Sequence, residues 1–133
     1  MRGTWRWTFL IGLALTALLS ACVPDSGFPS GTFHRAGNQA PLTLDFSATG
    51  TVSTYDGTHT VLDTASFQVS ENEIAIESDT TCPYTAGIYT WEFDGRTLRL
   101  TTQSDDCAQR KETLTGSDWI KEQPPAASPS PGA

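Results

Sequence analysis

Between Gly31 and Lys121 the chain repeats short runs rich in Thr, Val, Phe, Tyr and Trp, separated by turn residues at spacings near ten. Leu42, Leu44 and Phe46 alternate with Thr43, Asp45 and Ser47, and Ile74 and Ile76 alternate with Glu73, Ala75 and Glu77. Because successive strand side chains point to opposite faces, each run places one apolar face inward. In the run beginning at Gly87, Tyr89, Trp91 and Phe93 share a face, Asp94-Gly95 is a turn signal of type I′, and Leu98 and Leu100 return. Further breaks fall at Ala48-Thr49-Gly50, Asp56-Gly57, Ser70-Glu71-Asn72, 79–83 and Ser104-Asp105-Asp106. The runs between them predict about eight strands, near 31–36, 41–47, 50–55, 60–69, 73–78, 85–93, 96–102 and 108–115. The fold class is all-β, an antiparallel up-and-down barrel or a sandwich. Beyond the N-terminal segment no 12-residue window shows a 3.6 period, and a helix around Asp118–Glu122 would be one turn. Asp63 is irregular: strict alternation sets it with Val61, Ala65 and Phe67 on the apolar face, where it is either a polar group in a cavity or, as the preferred reading, turned outward by a bulge.

The first 21 residues have another character. Arg2 and Arg6 precede an apolar stretch from Trp7 to Leu19, 13 residues long, short of the roughly 17–25 that span a bilayer as a helix. It ends in Leu19-Ser20-Ala21-Cys22, which resembles the lipobox of bacterial lipoproteins. The resemblance implies cleavage before Cys22, a diacylglycerol on its sulfur and an extracytoplasmic domain tethered to a bacterial envelope membrane. Two or three acyl chains anchor firmly, at about 0.8 kcal/mol per buried methylene. Val23, rather than Asp, follows the cysteine, which by the same resemblance favours the outer membrane where the organism has one. The expected organisation is residues 1–21 as removed signal, 22–29 as lipidated tether, 30–122 as barrel and 123–133 as a Pro-rich, disordered tail.

With Cys22 given to lipid, Cys82 and Cys107 remain, an even pair in an oxidising compartment. A bridge is the economical reading. Metal or redox chemistry is the rival, although the chain has no Cys-x-x-Cys and neither His34 nor His59 lies near either cysteine in sequence.

A hydrophobic fraction of 38% against 17% charged residues suffices for a core. The net charge is −7, and removing Arg2 and Arg6 with the signal leaves −9, which excludes nucleic acid as an expected partner. No Gly-x-Ser-x-Gly, His-Glu-x-x-His or Gly-rich phosphate loop is present, so neither an enzyme nor a cofactor site is expected. The two histidines read as independent surface residues. Asp105-Asp106 with Asp79 reads as a solvated acidic loop rather than a calcium site, and Arg110-Lys111 as fold support or a solvent-facing pair.

The segment Cys82-x4-Gly87-x-Tyr89-x-Trp91, Asp94-Gly95, Leu98-x-Leu100, Asp106-Cys107-x-x-Arg110, Leu114 and Trp119 resembles small secreted bacterial lipocalin-like (calycin) domains. That resemblance implies an eight-stranded up-and-down barrel, many relatives of which hold an apolar ligand. Lipocalins begin with Gly-x-Trp packed under a late Arg; the matching positions here are Gly31-Thr32-Phe33 and Arg110, with Phe replacing Trp.

Eight strands enclose either packed side chains or one small ligand. If the barrel is hollow, Phe46, Phe67, Tyr89, Trp91 and Phe93 line it; otherwise they are its core. The expected protein is a monomeric carrier or sensor of a small apolar molecule. The alternative is an envelope interaction module whose charge steers it to a cationic enzyme, as in small lipoproteins that inhibit lysozyme.

Overall fold

The computed structural model describes residues 27–125. The segment expected to be a signal, Cys22 and residues 126–133 of the expected tail lie outside the described residues. The alternating runs form eight strands, β1 (Gly31–Arg35), β2 (Leu42–Phe46), β3 (Thr51–Asp56), β4 (Val61–Ser70), β5 (Glu73–Ile76), β6 (Gly87–Phe93), β7 (Thr97–Ser104) and β8 (Trp119–Lys121), with one helix, α1 (Ala108–Thr115), before the last. They close in sequence order, and β8 completes the barrel by pairing Phe33 with Lys121 and Arg35 with Trp119. Inward positions follow the predicted alternation: Leu44 and Phe46, Ile74 and Ile76, Leu98 and Leu100 are all buried.

Two elements differ from the sequence reading. The stretch 108–115, expected as the eighth strand, is α1. It begins with good helix formers, and its buried residues, Arg110 and Leu114, lie four apart on one face. The eighth strand falls instead on Trp119-Ile120-Lys121, where a helical turn had been the alternative. Trp119 Nε1 donates to the Leu114 carbonyl at 3.0 Å, tying the end of α1 to β8.

The β6–β7 turn also departs from expectation. Asp94 N–H bonds to the Thr97 carbonyl at 3.3 Å, so Gly95-Arg96 are the central residues. Only Gly95 of the pair has positive φ, +99°, which fits a type II′ turn rather than I′. The Asp94 carboxylate accepts from the backbone N–H groups of Arg96 and Thr97 at 2.8 and 2.7 Å.

The barrel end at which β1 begins is packed shut. Phe28, just before β1, sits with its ring 5.0 Å from Phe46, 5.7 Å from Phe67 and 5.2 Å from Trp91. Phe33 meets Phe46 at 5.9 Å and Phe93 at 6.1 Å, both edge to face. Such pairs contribute about 0.5–1.5 kcal/mol each beyond area burial. Lys121 Nζ lies 5.7 Å from the Phe93 ring. The expected packing of Arg110 with Phe33 is not found: Arg110 gives its guanidinium to groups at the opposite end.

Candidate cavity at the disulfide end

That opposite end is built around a buried ion pair. Asp105 and Arg110 are 7% and 6% exposed. Arg110 Nε and Nη2 grip the Asp105 carboxylate at 2.7 and 2.9 Å, a bidentate fork. The Tyr89 hydroxyl and the Cys107 N–H donate to the same carboxylate. Asp105 is therefore no solvated loop residue, correcting the reading of the 105–106 acidic pair. Burial alone would push its carboxyl up, but the bonds from Arg110, Tyr89 and Cys107 outweigh burial and hold it below the usual range. Tyr89 is pushed well above the ordinary tyrosine value by burial and by the carboxylate beside it.

Cys82 and Cys107 form the disulfide, with Cα atoms 6.0 Å apart. Cys107 is also the N-cap of α1, so the bridge fixes the start of the helix to the loop ahead of β6. Gly87 opens β6 at this point. A Cβ there would lie 2.8 Å from both Asp105 Cγ and Tyr89 Cε2 and would strike the carboxylate. Gly87→Ala is therefore expected to destabilise by about 1–3 kcal/mol, read as a lower urea midpoint at unchanged slope; an unshifted midpoint would refute the close approach.

Between α1 and the adjoining ends of β2 to β5 lies a partly open cavity of about 110 Å³. Its apolar wall is Leu42, Val52, Ala65, Ile76 and Leu114, and its polar wall includes Thr54, Asp63, Asp79, Thr81 and Arg110. Asp63 reaches it because the bulge expected to turn this residue outward falls elsewhere. The shift leaves Leu62 without a partner on β3, while Asp63 pairs with Thr54 and stays in phase with Ala65. Its carboxylate accepts from the N–H groups of Thr64 at 2.8 Å and of Thr80 and Thr81 at 3.0 Å each. Burial raises its pKa, but the bonds led by Thr81 lower it further, for a net depression.

Two carboxylates with depressed pKa values, Asp105 buried and Asp63 half-buried, set a pH dependence. A group whose folded pKa lies below its unfolded value, roughly 3.9 for Asp, stabilises fully above that value and loses its contribution as pH falls through the folded pKa. The urea midpoint is thus expected to hold from pH 7 to 5 and to fall between about 4 and 2. Asp63→Asn should flatten that fall; a wild-type midpoint unchanged at pH 3 would contradict the arrangement.

The five aromatic residues proposed from the sequence do not line this cavity. Phe46, Phe67, Trp91 and Phe93 pack on one another, on Phe28 or on Phe33 at the closed end, and Tyr89 is buried against Asp105. The sequence reading names Asp79 and Leu114 without placing either at a cavity, and it misses Gln109 and Thr113 of α1; the irregular Asp63 is its one pointer. His34 meets Thr43 and Glu122, whereas His59 stacks on Tyr55 at 4.8 Å. Among the described residues no three His, Cys, Asp or Glu side chains group as metal ligands. No protein-family model, curated protein or solved structure gives a match to this chain.

Proposed function

We propose that this protein is a lipid-anchored, extracytoplasmic barrel that holds one small, largely apolar molecule beneath α1. The observation that carries the reading is a partly open, apolar-walled cavity at one end of a barrel whose other end is packed shut. Its volume, about 110 Å³, is near that of an engineered cavity of about 150 Å³ that takes benzene. The cargo is therefore the size of a single ring or a short chain rather than a fatty acyl tail. The anchor rests on the Leu19-Ser20-Ala21-Cys22 sequence.

Native mass spectrometry of the chain from Val23 onward, which contains every element of the barrel, tests the cargo. Purified without detergent, it should show an added mass that leaves on denaturation, or take up one equivalent of a benzene-sized probe. Neither added mass nor uptake would discard the reading.

A second reading, docking of a cationic protein, draws on the net charge of −9 after signal removal and on the exposed apolar side chains Val61, Leu62, Tyr84 and Ile88. It expects an association that weakens steeply with salt.

A further inference from the structure

We infer that the cavity under α1 selects an organic cation, an apolar body of ring or short-chain size bearing a protonated amine. The inference rests on the small-ligand reading above and names its ligand class.

The argument is a count of donors and acceptors. The charged residues lining the cavity are Asp63, Asp79 and Arg110. A guanidinium has five N–H donors and no acceptor, and all five are engaged. Nε and Nη2 hold Asp105, the other Nη2 hydrogen goes to the Thr85 carbonyl at 2.9 Å, and Nη1 serves the Glu77 carbonyl at 3.2 Å and Asp79 Oδ2 at 3.4 Å. The cation in the wall thus has nothing to offer an incoming anion. Nor do the nearest backbone amides form a free nest: those of Thr64, Thr80 and Thr81 are given to Asp63 and that of Cys82 to Asp79.

Acceptors are in surplus. A carboxylate has about four lone-pair sites. Asp79 takes only the Cys82 N–H and one long bond from Arg110 and keeps open sites, whereas Asp63 takes three N–H groups and the Thr81 hydroxyl and adds its charge. Two carboxylates against one neutralised guanidinium leave the wall negative, with the apolar side chains Leu42, Val52 and Ile76 beside them to cover a ring or chain. A ligand carboxylate or phosphate would enter a partly desolvated, negative, donor-poor site and stay unpaired. An ammonium would find acceptors and favourable charge.

Three probes of one shape separate the outcomes: benzylammonium, benzyl alcohol and benzoate, titrated into the chain from Val23 onward by calorimetry or by amide shifts around Asp63. Benzylammonium is expected to bind about tenfold or more tighter than benzyl alcohol, and benzoate more weakly than the alcohol. Asp79→Asn and Asp63→Asn should each reduce the ratio of benzylammonium to benzyl alcohol affinity, a ratio in which any change of cavity shape largely cancels. Ala65→Leu, which fills the apolar wall, should abolish binding of all three, separating cavity occupancy from attraction to the acidic surface. Benzoate binding as well as benzylammonium, or a preference that survives both Asn substitutions, would overturn the cation inference. Binding of benzyl alcohol without ammonium preference would overturn it too and leave the cavity reading standing. If none of the three binds, both fall.

Discussion

Arg110→Met is expected to cost about 3–5 kcal/mol of folding free energy, as much as truncating a buried core aromatic. The Met side chain fills much of the same volume, so the loss measures what the charge did. Asp105, with a fully buried side chain, would be left with the Tyr89 hydroxyl and the Cys107 N–H alone. Its carboxylate would then have to remain charged in a poorly solvating site or take up a proton. In addition, the Glu77 and Thr85 carbonyls would lose their donor, loosening the loop ahead of β6. Arg99→Met is the control, since Arg99 pairs with Asp118 at 3.0 Å on the exposed surface and such pairs contribute about 0–1 kcal/mol. Urea unfolding of both variants at pH 7 checks the contrast. Equal effects would mean that the buried pair is no more important than a surface one. In the double variant Arg110→Met, Asp105→Leu part of the loss should be recovered, because an apolar pair has no uncompensated charge, while the Tyr89 hydroxyl and the Cys107 N–H, left without their acceptor, retain the rest.

Removing the disulfide by Cys82→Ala with Cys107→Ala comes second. The bridge closes a loop with a sequence separation of 25 residues, for which the chain-entropy model gives on the order of 3.5 kcal/mol. Against a domain stability of about 5–15 kcal/mol that is a large share. For a barrel of fewer than 100 residues it corresponds to a fall of roughly 15–25 °C in Tm. The effect is local as well as global, because the bridge holds the N-cap position of α1 to the loop ahead of β6 and α1 forms one wall of the cavity. Thermal unfolding, compared with the wild type before and after reduction, measures it. A drop below about 5 °C would place the restraint elsewhere, in the Asp105–Arg110 fork or in the Asp63 bonds to the same loop.

Strand after strand was legible where alternation ran four residues or more, as in Leu42–Phe46, Glu73–Ile76 and Tyr89–Phe93. Alternation failed at α1 for a physical reason. Its inward residues are Leu114 and an arginine, and hydropathy reads an arginine as outward unless its counter-ion is known. Eight residues also give too little length for a helical period to rise above chance. Trp119-Ile120-Lys121 is too short for any period, and what makes it a strand is the closure of β7 onto β1. The disulfide was legible from a count of cysteines. The cavity was not, because its walls come from β2, β3, β4, β5 and α1, which no local pattern joins. Large inward aromatics could not settle the matter either, since they serve equally as lining or filling. Phe28, in a segment with no strand signal, decides it by occupying the end that Phe46, Phe67 and Trp91 surround.

If Cys22 carries the proposed anchor, the same plug orients the molecule in space. Phe28 stands six residues after Cys22, a tether that reaches at most about 20 Å, and it enters the barrel at the end remote from α1. With the anchor proposed at Cys22, the aromatic end faces the lipid and the cavity opens toward the water beyond. Cargo would then be exchanged with whatever diffuses through that compartment rather than drawn from the bilayer. In that geometry the protein would be an upright cup whose rim is presented to passing molecules and to any protein that takes the cargo over.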